Sequence, residues 1–283
     1  MLGEYLQYEL SRLVDSAWAV AAFAALHRDD LAPDQRAAAE QAVVLSGLPA
    51  TARDGEFAAA LTSQLAQAAA FAAGVPGGWA GMPDDVLIAQ GTASKQVADW
   101  IVDKVVPALG AAEALGRPGA AFLDIGVGTG QLTARIAERW PLIQITGMDR
   151  MERPLGIARR VVAEAGCADR VDLVRADARF LAEQSRYDLA WLPLSFMSPK
   201  VIPDVLSAAR RALRPGGWAI ATTLMAVSEV PVVQAMSDLC TTVCEGSSLS
   251  REELLPLMRE AGYSRLVDLP STPLTGVLTA ACR

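Results

Sequence analysis

The run FLDIGVGTGQLTARIAERW, Phe122 to Trp140, constrains the fold more than any other part of this chain. It opens as a short apolar strand, breaks at Gly126, Gly128 and Gly130, and resumes with the spacing of an amphipathic helix. Glycine where a strand hands over to a helix permits positive φ and lets a ligand approach the backbone closely. A nucleotide-like ligand suits such a turn. A tight turn that only packs a helix against a strand uses glycines too, so the neighbouring residues must decide.

The same rhythm repeats along the second half of the chain. Short apolar runs AAFLDIG, LIQITGMD, RVDLVRAD, YDLAWLPL and WAIATTLM alternate with helical stretches near 130–139, 153–165 and 200–213. That alternation implies parallel strands with right-handed helical crossovers and both sheet faces covered, an α/β, doubly wound class. After a helix around EELLPLMREAG, the runs SRLVDLP and GVLTAACR are separated by only a few turn residues and must pair as an antiparallel hairpin. The expected sheet is seven-stranded and mostly parallel, with that hairpin at its C-terminal end.

Residues 1–73 read differently. They are rich in Ala, Leu, Gln and Glu, and Leu6, Leu10, Leu13, Val14 and Trp18 recur at helical spacing. A second helix is expected from Leu31 to Ser46, with Pro33 at its start, Asp34 in its first turn and Gly47 and Pro49 as its stop, and a third through GEFAAALTSQLAQAAAFAAG. The stretch GVPGGWAGMPDD, Gly74 to Asp85, cannot continue a helix and marks a linker. The expected division is therefore a helical N-terminal extension over 1–85, serving as a lid, substrate or dimerisation region, and a Rossmann-like α/β domain over 86–283. One further helix, QGTASKQVADWIVDKVVPAL, leads into that domain.

Composition removes several partners. The formal charge is −7 and the sequence shows no basic cluster, which argues against nucleic acid and favours a small-molecule substrate. Cys167, Cys240, Cys244 and Cys282 form no C-x-x-C pair in a chain too long to need staples, and they read as reduced core thiols. With a single histidine, no zinc ligand set is expected, so the metal expectation is none. The N-terminus carries Glu4 and Glu9 where a secretory signal would want positive charge, and no apolar stretch reaches membrane-spanning length, so no membrane partner and a cytoplasmic location are expected.

Three acids sharpen the ligand. Asp149 closes the second strand, where a carboxylate can accept both hydroxyls of a ribose, and Asp177 closes the third, where it can accept an adenine amino group. Asp124 stands two residues before the first glycine, beside the cleft. An acid there repels a pyrophosphate but suits a ligand carrying an ammonium and a sulfonium, which favours S-adenosylmethionine over NAD.

LDIGVGTG, the acid in GMD, RADAR, YDLAWLPL and LRPGGWAIA, in this order and spacing, resemble the successive motifs of class I S-adenosylmethionine-dependent methyltransferases over residues 88–283. More faintly, DVLIAQGTAS followed by a helix and the glycine loop resembles the Ala-rich small-molecule methyltransferases of bacterial natural-product pathways. The resemblance implies S-adenosylmethionine as cofactor, with Gly126, Gly128 and Gly130 forming its loop, the first two facing the methionine part, and Asp149 on the ribose. It also implies Asp177 and Ala178 at the adenine, Arg150 or Met151 against the adenine ring, and Leu192 and Pro193 as the wall beside the reactive methyl. Gln90 and Ser94 are candidates for the cofactor's carboxylate end.

Methyl transfer from a sulfonium needs acceptor, methyl carbon and sulfur in line, so alignment and exclusion of water carry much of the rate, and a base is needed only for acceptors that remain protonated. His27, the sole histidine, sits at an apparent helix end and reads as a cap or surface residue. WLPLSF lacks an acid for a catechol-type magnesium site, an N-P-P-Y type of motif and a Pro-Cys nucleophile. The acceptor classes left are a phenol or other hydroxyl, an amine, or an electron-rich carbon such as that of an indole. Tyr5, Tyr8 and Glu9 can project from one side of the first helix, the tyrosines holding an aromatic acceptor and Glu9, with Tyr8, serving as the catalytic pair. Trp79, Trp191 and Phe196 are further pocket candidates, Trp191 also reading as a sheet-core residue. Two other classes compete: an NAD-dependent oxidoreductase, and a non-catalytic partner subunit that kept the fold. The N-terminal helices can build a homodimer interface as readily as a lid.

Overall fold

A computed structural model describes residues 2–47, 55–75, 78–223, 231–269 and 277–283. Two compact units divide the chain, one of residues 1–75 and 82–93 and one of residues 76–81 and 94–283. The division falls inside a helix, after Ala93, rather than at the expected boundary after Asp85.

The helical unit contains α1 (Leu2–Ala25), α2 (Pro33–Leu45), α3 (Gly55–Ala72) and the first part of α4 (Asp84–Trp100). Arg36 of α2 donates to the carbonyls of Leu26 and Arg28, satisfying acceptors that the end of α1 leaves open. Phe23 is buried, with Phe57 of α3 edge-on to it at 6.1 Å. A polar chain ties α3 to α4: Gln67 Nε2 donates to Ser63 Oγ, which donates to Gln90 Oε1. The apolar stripe read from the sequence of α1 does not form this core. Leu10, Leu13, Val14 and Trp18 are exposed, Trp18 by 72%, while Ala19, Phe23 and Ala24 are buried.

In the larger unit α4 continues into a π-helical turn, Ile101–Val105, and a short α5 (Val106–Ala108). The Val106 N–H reaches back to the Ile101 carbonyl, five residues away, just before Pro107, whose ring would crowd the carbonyl four residues behind it in a regular helix. There follow α6 (Ala112–Gly116), β1 (Ala121–Ile125), α7 (Gln131–Arg139), β2 (Gln144–Asp149), α8 (Glu152–Glu164), β3 (Val171–Arg175), β4 (Tyr187–Pro193), α9 (Ile202–Ala212), β5 (Leu213–Thr223), α10 (Pro231–Val243), α11 (Arg251–Glu260), β6 (Arg265–Leu269) and β7 (Val277–Cys282).

The strands lie in the order β3-β2-β1-β4-β5-β7-β6. The parallel part is five strands, β1 to β5; β7 pairs antiparallel with β5, and β6 with β7. β1 and β4 are buried along their whole length, as central parallel strands covered on both faces must be. Phe122, Leu189 and Ile220 pack against Ile101, Val105 and Ile136 on one face, while Leu123, Leu192 and Ala219 pack against Val205, Leu206 and Met258 on the other. β5 begins five residues earlier than WAIATTLM suggests, because LRPGG lies within the strand at a register shift opposite Tyr187 and Leu189. A Cβ on Gly217 would meet three backbone carbonyls at 3.0–3.2 Å, so this bulge requires glycine. On the solvent side Arg135 and Arg139, one turn apart on α7, share Asp99, and Arg139 also pairs with Asp103. Among the described residues no helix is long and apolar enough to cross a membrane.

Gly130 occupies the left-handed region at φ 83° as the N-cap of α7, and a Cβ there would lie 2.9 Å from the Ala158 Cβ of α8. Gly130→Ala combines strain with a clash and is expected to cost about 1–3 kcal/mol, read as a lower midpoint in urea unfolding with unchanged m-value.

Candidate functional site

Chain order reverses between β1 and β4: from β1 the sheet grows to β2 and β3 on one side, and from β4 to β5 on the other. Open α/β sheets bind ligands outside the carboxyl ends of the strands at such a switch point. Here those ends meet, because a Cβ on Gly126 would sit 3.6 Å from Pro193 Cγ. Leu192 and Pro193 are both buried there.

The turn after β1 is built so that only glycine fits. Gly126, Gly128 and Gly130 have φ of 73°, 54° and 83°. The N–H groups of Gly126 and Val127 both donate to the Met148 carbonyl, at 2.8 and 2.9 Å, which fastens the turn to β2. Gly147 makes room for this, since a Cβ on it would lie 2.8 Å from Val127 Cγ2. Space beside Gly128 is open apart from the Gly126 carbonyl at 3.9 Å from a built Cβ.

Two buried acids face this turn. Asp124 pairs in register with Gly147, so Asp149, two residues further along β2, lies on the same face of the sheet. Asp149 Oδ2 accepts from the Gly128 N–H at 3.1 Å and Oδ1 from the Met151 N–H at 2.9 Å. A carboxylate offers about four lone-pair sites, so Asp149 retains capacity for hydroxyl donors. Burial raises its pKa, although the Met151 and Gly128 N–H groups oppose the shift. Asp124 is 1% exposed and accepts from Thr133 Oγ at 2.6 Å. Burial, reinforced by the charge of Asp149 and opposed by Thr133, pushes its pKa up to about 7. No cation pairs with Asp124 among the described residues.

The remaining predicted residues divide. Asp177 lies just past the end of β3 and is engaged by Arg179: Oδ1 accepts from the Arg179 N–H and Nε, and Oδ2 from Arg179 Nε and Nη2, at 2.7–3.1 Å, with the side chain 34% exposed. The Arg179 guanidinium holds its pKa below the usual carboxylate range. Ala178 begins the short turn that Asp177 caps. Arg150 is exposed and Met151, half-buried, caps α8. Gln90 is committed to Ser63, and Ser94 is half-buried in α4.

Trp191 belongs to the sheet core with Phe122 and Ile220, on the face that packs against Ala98 and Ile101. Trp79 and Phe196 do meet, edge to face, with ring centroids 5.5 Å apart. Tyr8 is 63% exposed, and Glu9 faces Arg12 of its own helix at 3.6 Å, so neither sits in an enclosed site. The side chain of Tyr5 lies outside the described residues. His27 lies with Nδ1 3.1 Å from the Phe23 carbonyl oxygen, where a protonated Nδ1 donates to it, as expected of a residue closing a helix end.

Sequence reasoning missed Thr133 and the Arg179 lock on Asp177. Thr133 was within reach, as a polar residue on the otherwise apolar buried face of α7. Arg179 has no comparable signal beyond its spacing from Asp177.

The methyltransferase domain family model matches residues 122–217, a stretch that holds the glycine turn, both buried acids and the end of β4. A ubiquinone/menaquinone biosynthesis C-methyltransferase, UbiE, from Paracoccus denitrificans is 37% identical over 119 residues, covering 41% of this chain and 46% of that protein. The chain spans less than half the length of the curated relatives it matches first. The solved structure of an O-methyltransferase family protein from Burkholderia thailandensis aligns over 100% of this chain and 98% of its own, with a TM-score of 0.66 at 15% identity. PigF, solved with SAH, aligns over the same shares with a TM-score of 0.64 at 19% identity. At these identities the structural likeness establishes the fold, and the resemblance to class I methyltransferases read from the motifs agrees with it.

A carboxyl whose folded-state pKa exceeds its unfolded value stabilises the fold fully only below the unfolded value, and that contribution is lost as pH rises through the folded one. For Asp124 the window runs from 3.8 to about 7. Asp124→Asn is expected to flatten the decline of Tm across this range in calorimetry of the ligand-free protein. Equal slopes in both proteins would refute the assignment.

Proposed function

We propose that this chain is an S-adenosylmethionine-dependent methyltransferase acting on a small-molecule, aromatic acceptor. The observation that carries the reading is the pair of buried acids, Asp124 and Asp149, without a paired cation for Asp124, beside a glycine turn at the switch point. Buried negative charge is costly without a counter-charge, and a ligand with an ammonium and a sulfonium supplies one. A dinucleotide would bring a pyrophosphate against the same acids, which counts against the oxidoreductase reading.

When bound, the cofactor supplies an electrophilic methyl group on a sulfonium. Gly126 and Gly128 admit it close to the backbone, and Asp149 accepts from its hydroxyls with the lone pairs that Gly128 and Met151 leave unused. Asp124, held by Thr133, provides negative potential beneath the glycine turn. Leu192 and Pro193 wall the strand end and exclude water, which favours an in-line displacement. Asp177 shares its carboxylate between Arg179 and the adenine amino group, so its contribution is smaller than that of Asp149.

Carbon, oxygen and nitrogen acceptors all fit this machinery. The name of the Paracoccus relative supports carbon and that of the Burkholderia neighbour oxygen. An indole-type carbon suits a site whose only histidine is bound to its own helix, because such an acceptor needs no base to become nucleophilic.

Isothermal titration with S-adenosylhomocysteine tests the cofactor. Loss of a carboxylate-to-hydroxyl pair in Asp149→Ala is expected to weaken binding by about tenfold or more. No heat with the unmutated protein would sink the reading.

The exposed stripe of Leu10, Leu13, Val14 and Trp18 on α1 supports a homodimer interface over a lid for the N-terminal helices. Light scattering on the eluting protein is expected to give twice the chain mass, and Leu13→Lys with Trp18→Lys to return it to one. A monomeric unmutated protein would remove this assignment.

A further inference from the structure

Beyond the cofactor crevice, the larger unit carries buried polar atoms that have no partner. Trp79 Nε1, Ser237 Oγ and Ser247 Oγ are each buried without a hydrogen bond, and the two serines are 3% exposed. An orphaned buried polar atom forfeits its hydration without a replacement bond, so several along one connected path call for an explanation.

The residues that carry them are linked through the turn after β4 and the end of α10. The 3-10 turn Leu194–Phe196 follows Pro193 directly, and its Ser195 carbonyl accepts from the Ser247 N–H at 3.1 Å. Gly246 packs so tightly here that a Cβ would collide with that carbonyl, and the Thr241 methyl is the next neighbour at 3.4 Å. Thr241 in turn donates to the Ser237 carbonyl at 2.9 Å, one turn back along α10. Trp79 joins from the other side: the Gly78 N–H donates to the Val243 carbonyl at 2.8 Å, and the Trp79 ring meets Phe196 edge-on. Phe196 is 37% exposed, so this aromatic corner is partly open. Thr223, another buried hydroxyl without a partner, ends β5 one residue past the Pro193–Thr222 pair.

We infer that Trp79, Ser237 and Ser247 recognise the methyl acceptor, and that this acceptor is a planar aromatic carrying a neutral hydrogen-bond acceptor such as a ring-attached carbonyl. The inference rests on the methyltransferase reading, which places the acceptor beside the β4 end. Two aromatic rings set at 71° offer one face and one edge to a flat molecule. The indole N–H can only donate, so its partner must be an acceptor atom; the serine hydroxyls can turn to donate as well. A site built to satisfy such groups discriminates strongly against an analogue that lacks the acceptor atom.

The test uses the full chain with ¹⁵N-labelled tryptophan, saturated with S-adenosylhomocysteine, and titrated with 2-hydroxyacetophenone and separately with naphthalene. Of the six indole signals, the one missing in Trp79→Phe is that of Trp79. The expected result is a downfield shift of this signal with the hydroxyketone and none with naphthalene. Binding of the hydroxyketone should also fall by about tenfold in Trp79→Phe and in Ser247→Ala, with S-adenosylhomocysteine affinity unchanged. An indole signal that stays in place through the hydroxyketone titration, or equal affinity in both variants, overturns the inference while leaving the cofactor reading intact. Failure of S-adenosylhomocysteine to bind at the outset brings down the methyltransferase reading and this inference with it.

Discussion

The Asp149 carboxylate fastens the glycine turn to the second strand, and the rest of the site depends on that attachment. Its two oxygens accept the N–H groups of Gly128 and Met151, so one side chain fixes both the loop after β1 and the entry to α8. The attachment is possible because Gly126, Gly128 and Gly130 all take positive φ and because Gly147 leaves a hollow for Val127. A side chain at Gly130 or Gly147 would clash with a neighbouring atom, while at Gly126 and Gly128 the positive φ alone makes the demand.

Holding the turn this way brings two buried carboxyl groups onto one face of the sheet beside it. Asp124 lies a register step from Asp149 and is more deeply buried, and the charge of Asp149 adds to the cost of ionising it. Thr133 offsets part of that cost through a short hydrogen bond from the first turn of α7. A cationic ligand bound beside these acids, as proposed, would relieve that penalty. Asp177, although it also ends a strand, has been neutralised internally by Arg179 and carries no such penalty.

Much of the fold and the cofactor side of the site was legible in the sequence, for local reasons. Strand runs such as FLDI and YDLAWLP are wholly buried and uninterrupted, and α7, α8 and α9 keep a sharp division between apolar and polar faces. The acceptor side was less legible. Tyr8 and Glu9 have the right chemistry at the right spacing, yet spacing on one helix does not say what the helix packs against, and both stay at the surface. Trp191 alternates onto the core face of β4 for the same kind of reason: sheet register, not residue type, chose its side. Gln90 was claimed by Ser63, twenty-seven residues away in sequence.

By itself the sequence determined the doubly wound class, the glycine turn and the acids at the strand ends, because each is encoded over a few consecutive residues by backbone freedom and hydrophobic period. Only the tertiary structure decided that Asp149 is held by two backbone N–H groups while Asp177 pairs with Arg179, that the α1 stripe faces outward, and that Trp79 meets Phe196 beside Ser247. These outcomes depend on which distant groups compete for the same hydrogen bonds and the same space, and that competition exists only once the chain has folded.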